Sequence, residues 1–397
     1  MKALRNVPSM EKVSPPVFRG NLKRKNNLWI NFKYSSYCEL SGHPTEGYYI
    51  GGHLMDNKIP GNLLTTAMAV MPHVDVTHAL EIALSVDVPF WPQLPNYNYY
   101  EDMYVQAAEH FPGILLDLGK RTLRFSMEKF ILELEDCLGH FDDSSYFDIS
   151  RKYSVVYHRF LEMDLSEKPA IRGQLEGPIS FGFNVLDQDE RPILFDDTVR
   201  PFMFEFMAKR INAQLDRLKV LNDNAFMFID EPGLQYLFSA MAGYNELQAK
   251  GDLDQFFTMI DRPRGIHLCG NPDWDFLLGL DLDILSIDIY TNAEIFSSYA
   301  PSIKRFLDNG GVLVWGIVPT GFEAFEKEDM ITLTAQLENV WQILSKKGID
   351  INHMLHRSML SPATCCLVNP DKEKTVEKAF AIVQKLSSIL RTKYKMN

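Results

Sequence analysis

The chain lacks three features that mark common classes of protein. Its 397 residues include only five cysteines, an odd number that suits free thiols or metal ligands better than a disulfide framework. It has no apolar run long enough to cross a bilayer, and no signal-peptide core follows Met1. It has no excess of positive charge, because 40 basic and 52 acidic residues give a net charge of -12. We therefore expect a cytoplasmic protein that binds neither membrane nor nucleic acid.

What the sequence does contain is a regular alternation of apolar and amphipathic segments. Eight short runs rich in Val, Ile and Leu are separated by stretches with helical periodicity. Continuous apolar strands with helices between them are typical of a parallel sheet covered by helices. The predicted strands are Thr66–Met71, Val88–Gln93, Ala170–Glu176, Ala225–Asp230, Gly265–Cys269, Ile284–Ile289, Val312–Val318 and Met354–Leu360. Eight such units predict an α/β protein with a TIM (β/α)8 barrel.

Two segments interrupt this alternation. Residues 1–60 are rich in lysine and arginine over their first half, and they predict an N-terminal extension before a barrel domain of residues 61–397. The extension is either an arm lying on the surface, or a lid or dock for an acidic partner. Residues 96–168 are too long for a plain crossover and look mostly helical. They predict a helical insertion after strand two, with one further strand within Gly113–Leu118.

Three separate stretches carry residues that suit a metal site. His267 and Cys269 close one predicted strand on the same face, because alternate residues of a strand point the same way. Asp288 closes the next strand, where its carboxylate needs compensation by a metal or an arginine. Cys365 and Cys366 follow the last strand, and only one of them can face the site on an extended chain. One imidazole, two thiolates and one carboxylate form a ligand set for zinc.

The order of these residues resembles a known superfamily. The chain is similar to the barrel of cobalamin-independent methionine synthase and its short relatives, in the group that also contains uroporphyrinogen decarboxylase. The motifs that carry the resemblance are Gly177-Pro178-Ile179-Ser180, Ile229-Asp230-Glu231-Pro232, His267-Leu268-Cys269, Leu280–Asp288 and Ser361-Pro362-Ala363-Thr364-Cys365. The resemblance implies that zinc is bound by His267, Cys269, Asp288 and Cys365. It also implies that His267, Cys269 and Cys365 are the catalytic group of a methyltransferase.

The resemblance further implies methyl transfer to a small-molecule thiol. Zinc lowers the pKa of a bound thiol, so the sulfur stays nucleophilic near neutral pH. The synthase has a histidine that protonates a departing folate nitrogen, and Ile317 stands in the matching region here. We therefore expect a methyl-corrinoid donor, which a separate corrinoid protein would carry. The likeness of Asp230 to a synthase residue that binds the substrate amine implies an ammonium-bearing thiol such as homocysteine.

Four residues are candidates for substrate binding, and each has a structural alternative. Asp230 and Glu231 follow one strand, where they suit either substrate binding or ion pairs with arginines. His73 follows the first strand and suits either a substrate contact or a hydrogen-bonded structural histidine. Gln174 lies on the third strand and suits either a substrate contact or a buried amide.

Two other functions compete with methyl transfer. A decarboxylase of the uroporphyrinogen type has the same fold, uses no metal, and stabilises a pyrrole carboxylate substrate with arginines and an aspartate. That function would leave His267, Cys269 and Cys365 without a role. A non-catalytic member that binds a corrinoid or a thiol would keep the zinc, and an assay of methyl transfer to a panel of thiols separates it from an enzyme.

Overall fold

The structure, a computed structural model, describes residues 21–23, 29–31, 59–237, 244 and 246–396. Internal contacts divide the chain into Met1–Leu54 and Met55–Asn397. In the first unit, strands β1 (Asn21–Lys23) and β2 (Trp29–Asn31) pair antiparallel. The prediction of an N-terminal extension over residues 1–60 otherwise falls almost wholly outside the described residues.

The second unit is built around a parallel sheet. Its strands, with one separate hairpin, are β3 (Leu64–Thr65), β4 (Ile114–Asp117), β5 (Thr122–Phe125), β6 (Arg172–Glu176), β7 (Phe226–Asp230), β8 (Arg264–Leu268), β9 (Ile284–Asp288), β10 (Val312–Val318) and β11 (Ser358–Pro362). Within the described residues, seven strands form the sheet in the order β3-β11-β10-β9-β8-β7-β6. Every neighbouring pair in it is parallel, whereas β4 and β5 form the antiparallel hairpin.

An eighth segment, residues 88–93, closes the sheet between β3 and β6. The amide of Val88 donates to the carbonyl of Thr65 over 2.9 Å. On the other side, the amide of Arg172 donates to the carbonyl of Pro89 over 3.0 Å. Since both edges of the sheet bind the same segment, the strands form a barrel. The predicted TIM-type α/β fold is confirmed.

Helices lie between the strands and cover the sheet. They are α1 (Val76–Leu84), α2 (Met103–Ala107), α3 (Met127–Gly139), α4 (Ser144–Phe147), α5 (Val155–Phe160), α6 (Pro178–Asn184), α7 (Val199–Lys219), α8 (Glu246–Met259), α9 (Trp274–Leu278), α10 (Ile289–Ser298), α11 (Ala300–Asp308), α12 (Phe322–Phe325), α13 (Met330–Lys346), α14 (Ile351–His356) and α15 (Lys374–Tyr394). Helices α2 to α5 and the β4–β5 hairpin make up the predicted insertion after strand two. No described helix combines the length and apolarity that a membrane crossing needs.

The last predicted strand was misplaced along the chain. Residues that we predicted as strand, Met354–Leu360, begin inside α14 and continue into β11. The side chain of Asp350 caps α14 by accepting a hydrogen bond from the amide of His353 over 2.7 Å. This cap starts a helix that buries Met354 and Leu355, so the strand begins only at Ser358.

The face of β7 that points into the barrel changes from apolar to polar along the strand. Phe226 and Phe228 of β7 belong to a buried cluster that also contains Ile284 and Val314. Asp230 continues the face of the two phenylalanines, because side chains on a strand alternate with a period of two. Since parallel strands end at one rim of a barrel, their polar terminal residues gather there, where barrel enzymes have their active sites.

Candidate metal and substrate site at the barrel rim

Polar side chains at the ends of four adjacent strands form one row. In the register of the sheet, Glu176 of β6 lies beside Asp230 of β7, and Asp230 lies beside His267 of β8. Ser286 of β9 lies on the other side of His267. All four are buried. Because residues in register share a face of the sheet, two carboxyl groups, an imidazole and a hydroxyl lie at one level of the barrel.

His267 lies between a hydroxyl group and a thiol. Its Nδ1 is 3.0 Å from Oγ of Ser286, and its Nε2 is 3.1 Å from Sγ of Cys269. Burial, helped by the charge of Arg172, lowers the pKa of His267 to about 3, so the imidazole is neutral. A neutral imidazole held by a polar partner at its second nitrogen is the arrangement found in metal-binding histidines.

The thiol of Cys365 belongs to this site, and that of Cys366 does not. Interaction with the Cys365 thiol, followed by burial, raises the pKa of Cys269, and the same interaction lowers the pKa of Cys365. Cys366 instead donates to the carbonyl of Val368 and to the side-chain oxygen of Asn369, each over 3.4 Å. Of the two cysteines that the sequence left open, Cys365 is therefore the one that joins Cys269.

Asp288 lies at the same rim but has another structural task. As the N-cap of α10, its carboxylate accepts hydrogen bonds from the amide of Thr291 over 3.1 Å and from the hydroxyl of Thr291. Burial raises the pKa of Asp288. Across the described part of the chain, no three of the four predicted metal residues have ligand atoms that all lie within 4.8 Å of one another. The structure therefore brings His267 to Cys269 and Cys269 to Cys365, and it leaves Asp288 in its cap.

The donor atoms of His267 and Cys269 fit a zinc ion. Zinc bonds of about 2.1 Å to nitrogen and about 2.3 Å to sulfur place two tetrahedral ligands roughly 3.6 Å apart. The observed 3.1 Å between Nε2 and Sγ is close to that spacing. The Cys365 thiol beside Cys269 adds a second sulfur, so the residues present offer the nitrogen and sulfur donor types that zinc prefers.

Glu231 joins two of the sequence motifs. Its carboxylate accepts hydrogen bonds from the amides of Ile179 and Ser180 over 3.0 and 2.8 Å, and from the Ser180 hydroxyl over 2.6 Å. Gly177 allows this approach, because a Cβ there would lie 2.2 Å from Oε1 of Glu231. Burial raises the pKa of Glu231 to about 7. The predicted substrate-binding residue Glu231 is thus engaged in capping α6.

The structure also fixes the surroundings of Gln174 and His73. The buried amide of Gln174 donates to the carbonyl of Trp91 over 2.9 Å and accepts from Arg172 over 3.1 Å. Both functional groups of this amide are therefore used within the protein. His73 is buried against Glu377 of α15, with 3.4 Å between Nε2 and Oε1.

The structure adds Glu176, which the sequence interpretation did not single out. This side chain is fully buried, and within the described residues neither carboxyl oxygen meets hydrogen-bond geometry with a partner. Burial, followed by the charges of Asp230 and Glu231, raises its pKa well above the usual value. Burial also raises the pKa of Asp230 to about 8, against the opposing effect of Arg172. A carboxylate at the end of a predicted strand could have identified Glu176 from the sequence, as it did for Asp288.

The fold is similar to that of a solved methyltransferase. A methyltransferase from Methanosarcina mazei is 13% identical, with 83% of this chain and 94% of that chain covered and a TM-score of 0.50. A B12-independent methionine synthase from Shewanella sp. W3-18-1, in complex with selenomethionine, is 13% identical, with 83% and 98% covered and a TM-score of 0.48. No protein-family model and no curated protein sequence matches the chain. At this level of identity the likeness concerns the barrel fold.

Proposed function

We propose that this protein is a methyltransferase that transfers a methyl group to a thiol substrate activated by zinc. The ligands would be His267, Cys269 and Cys365, with Asp288 as the fourth. The observation that carries the proposal is the 3.1 Å contact between the neutral imidazole of His267 and Sγ of Cys269, beside the Cys365 thiol. A bound zinc ion would keep a substrate thiol deprotonated near neutral pH.

The carboxyl groups beside the metal residues support an ammonium-bearing substrate. Glu176 and Asp230 lie next to one another in the row, and both are shielded from bulk water. A buried carboxyl group without a cationic partner favours its protonated form, and an ammonium group would favour ionisation. We infer that these two residues bind the amino group of a thiol amino acid such as homocysteine. In this arrangement the ring of His267, which contacts the Ser286 hydroxyl, would mark where the substrate sulfur lies.

A methyl-corrinoid on a separate protein is the proposed donor. The transfer forms a sulfur–methyl bond and returns both electrons of the broken donor–methyl bond to the donor. A reduced corrinoid accepts that pair without a proton, whereas a folate nitrogen needs one. Ile317 is fully buried and apolar, so it supplies no proton at the position where a donor histidine was expected from the resemblance.

The charges at the rim do not favour the decarboxylase alternative. That reaction needs arginines that bind substrate carboxylates, but Arg172 is buried and donates to Thr66 and Gln174. Glu176 and Asp230, which lie side by side, also offer no positive charge to an acidic substrate. A non-catalytic role for a zinc-bearing protein makes a different prediction, because such a protein would bind thiols without methylating them.

Metal content and methyl transfer test this proposal together. We expect His267→Ala and Cys365→Ala each to lose one equivalent of zinc relative to the parent protein. We expect the parent to methylate homocysteine from methylcobalamin, and both variants to lose more than about 100-fold in rate, since thiol activation is removed. Elemental analysis and product detection by mass spectrometry provide the two readouts.

Cys366→Ala is the matched control, since its thiol bonds away from Cys269. It should keep both the zinc and the activity of the parent. Equal zinc in the parent, His267→Ala and Cys365→Ala would rule out the ligand assignment. If the two variants lose zinc but the parent methylates no thiol, the non-catalytic role is favoured instead.

A further inference from the structure

A second group of metal-binding side chains lies where the first and last βα units of the barrel meet. His73 follows the first strand, His78 lies in the first turn of α1, and Glu377 lies in the first turn of α15. One ligand atom from each lies within 4.8 Å of the other two. The distance from Oε1 of Glu377 is 2.7 Å to Nε2 of His78 and 3.4 Å to Nε2 of His73.

His73 distinguishes this group from an ordinary surface ion pair. Only 2% of the residue is exposed, and neither ring nitrogen meets hydrogen-bond geometry with a described residue, although Nε2 lies 3.4 Å from Oε1 of Glu377. Burial lowers its pKa, against the opposing effect of Glu377. A buried imidazole whose nitrogens lack well-formed hydrogen bonds costs free energy unless it binds something at a ring nitrogen.

The spacing and charge of the group suit a divalent cation. Zinc bonds of about 2.0–2.1 Å to nitrogen and oxygen place tetrahedral ligands roughly 3.3 Å apart, close to the observed contacts. Glu81 lies at the other ring nitrogen of His78, with 3.6 Å between its Oε2 and Nδ1, where a carboxylate can orient a metal-binding histidine. His78 and Glu377 remain partly exposed, so an ion can enter from solvent and keep water as a further ligand.

We propose that His73, His78 and Glu377 bind a divalent first-row transition-metal ion, with zinc favoured by two imidazoles and one carboxylate. The site is separate from the one formed by His267, Cys269 and Cys365, and it contains no thiol. Since His73 and His78 belong to the first βα unit and Glu377 belongs to the last, the ion joins the two units. In this role His73 is a metal ligand rather than a substrate contact.

Zinc binding to a chain without the rim thiols tests this site. In the full-length Cys269→Ser/Cys365→Ser protein, stripped with a chelator, we expect one equivalent of zinc to bind on titration with zinc chloride. Adding His78→Ala or Glu377→Gln should weaken that binding by at least about 100-fold, because each removes a ligand directly. A chromophoric chelator competing for zinc measures the affinity.

Two matched controls should leave zinc binding unchanged. Glu338→Gln alters a carboxylate that binds Lys393 and Tyr394, and His356→Ala alters a histidine that bonds the carbonyl of Asn352. If the double serine variant does not fold, the parent and His78→Ala are compared directly, with a loss of one zinc equivalent expected. Unchanged zinc in both His78→Ala and Glu377→Gln would overturn this site. If only the rim variants lose zinc, this inference fails and the proposed zinc site stands. If only His78→Ala and Glu377→Gln lose zinc, this inference stands and the proposed zinc site fails.

Discussion

The residue that departs most from ordinary packing is Glu176. Its carboxyl group is fully buried without a hydrogen bond of normal geometry, although an unpaired buried polar group costs about 1–3 kcal/mol of stability. Within the described residues, the Tyr104 hydroxyl interacts with it and offsets part of that cost. A bound ammonium group would offset that cost, so under the proposed function Glu176 would aid substrate binding and destabilise the substrate-free protein.

Glu176→Gln should therefore stabilise the substrate-free protein in a pH-dependent way. The pKa of Glu176 is raised above its usual 4.5 in the folded protein, so the folded protein keeps a proton that the unfolded chain releases. The stability that comes from this proton is present below the unfolded pKa and is lost as pH rises above it. We expect the two proteins to be equally stable near pH 4.5 and the variant to be the more stable one at pH 8. Urea unfolding at both pH values measures this difference.

The same variant should bind homocysteine less well. Loss of a charged partner predicts a KM about 10- to 100-fold higher, with no change for the same thiol acid without its amino group. Glu323→Gln, at an exposed carboxylate, should change neither quantity. A Glu176→Gln protein that is less stable at pH 8 and unaltered in KM would show that the residue has a purely structural role.

Single residues could be predicted where they stood at alternate positions of a strand, or where one polar residue stood in an apolar run. His267 and Cys269 could be assigned to one face from their spacing alone, and the structure places their donor atoms 3.1 Å apart. The choice between Cys365 and Cys366 could not be made, because it depends on how the chain turns after β11. The cap formed by Glu231 on Gly177-Pro178-Ile179-Ser180 was also hidden, since it joins motifs from different strands.

At the scale of elements, Asp288 serves both as a helix cap and as a proposed ligand. An aspartate N-cap can be replaced by asparagine at little cost, whereas alanine loses about 0.5–2 kcal/mol. We expect Asp288→Asn to unfold like the parent in urea and Asp288→Ala to be less stable by about 1 kcal/mol, because α10 loses its cap. Both variants should bind zinc more weakly, since asparagine offers no anionic oxygen.

The comparison of these two variants separates the roles of Asp288. Zinc affinity measured with a competing chelator should fall equally in Asp288→Asn and Asp288→Ala. If Asp288→Asn keeps the affinity of the parent protein, Asp288 is a cap alone and the zinc site has three protein ligands.

Strands were predicted correctly where apolar runs were continuous. The predictions failed where prolines or a helix cap changed the local structure. The strand Val312–Val318 was predicted with its observed bounds. The predicted strand Val88–Gln93 forms only isolated bridges, because Pro89 and Pro92 have no amide hydrogen to donate. The predicted strand Met354–Leu360 begins too early, because Asp350 caps a helix and the first residues of the predicted strand belong to that helix.

At the scale of the whole molecule, closure of the barrel depends on its last helix. The hydroxyl of Ser387 on α15 donates to the carbonyl of Leu63, just before β3, over 2.7 Å. Leu386, on the same helix, is fully buried, whereas Ile389 is 50% exposed. Since α15 packs on both β3 and β11, it covers the junction between the first and last strands.

Leu386→Ala should destabilise the whole barrel. A buried leucine truncated to alanine costs about 2–5 kcal/mol, because the cavity left behind is not refilled. Ile389→Ala on the same helix should cost less than about 0.5 kcal/mol, as expected for an exposed position. Urea unfolding compares the two. Similar values for both variants would mean that α15 contributes little to closure.

The barrel as a whole was predictable, because alternation of apolar strands and helices is repeated along the chain and tolerates local errors. Eight strand predictions led to the correct fold although three were imperfect: Val88–Gln93 and Met354–Leu360, and also Thr66–Met71, since β3 is Leu64–Thr65 and only a bridge at Val70 follows it. The insertion after strand two was likewise predictable from its length alone. The group formed by His73, His78 and Glu377 was not, since only barrel closure brings the beginning and end of the domain together.

The pairing of Cys269 with Cys365 has a practical consequence for handling the protein. Two thiols that face one another, one of them with a lowered pKa, are ready targets for oxidants. A bridge between them would remove both sulfurs from metal binding. Samples purified without a reducing agent would then show an empty centre for a trivial chemical reason, so thiol titration should precede every metal measurement.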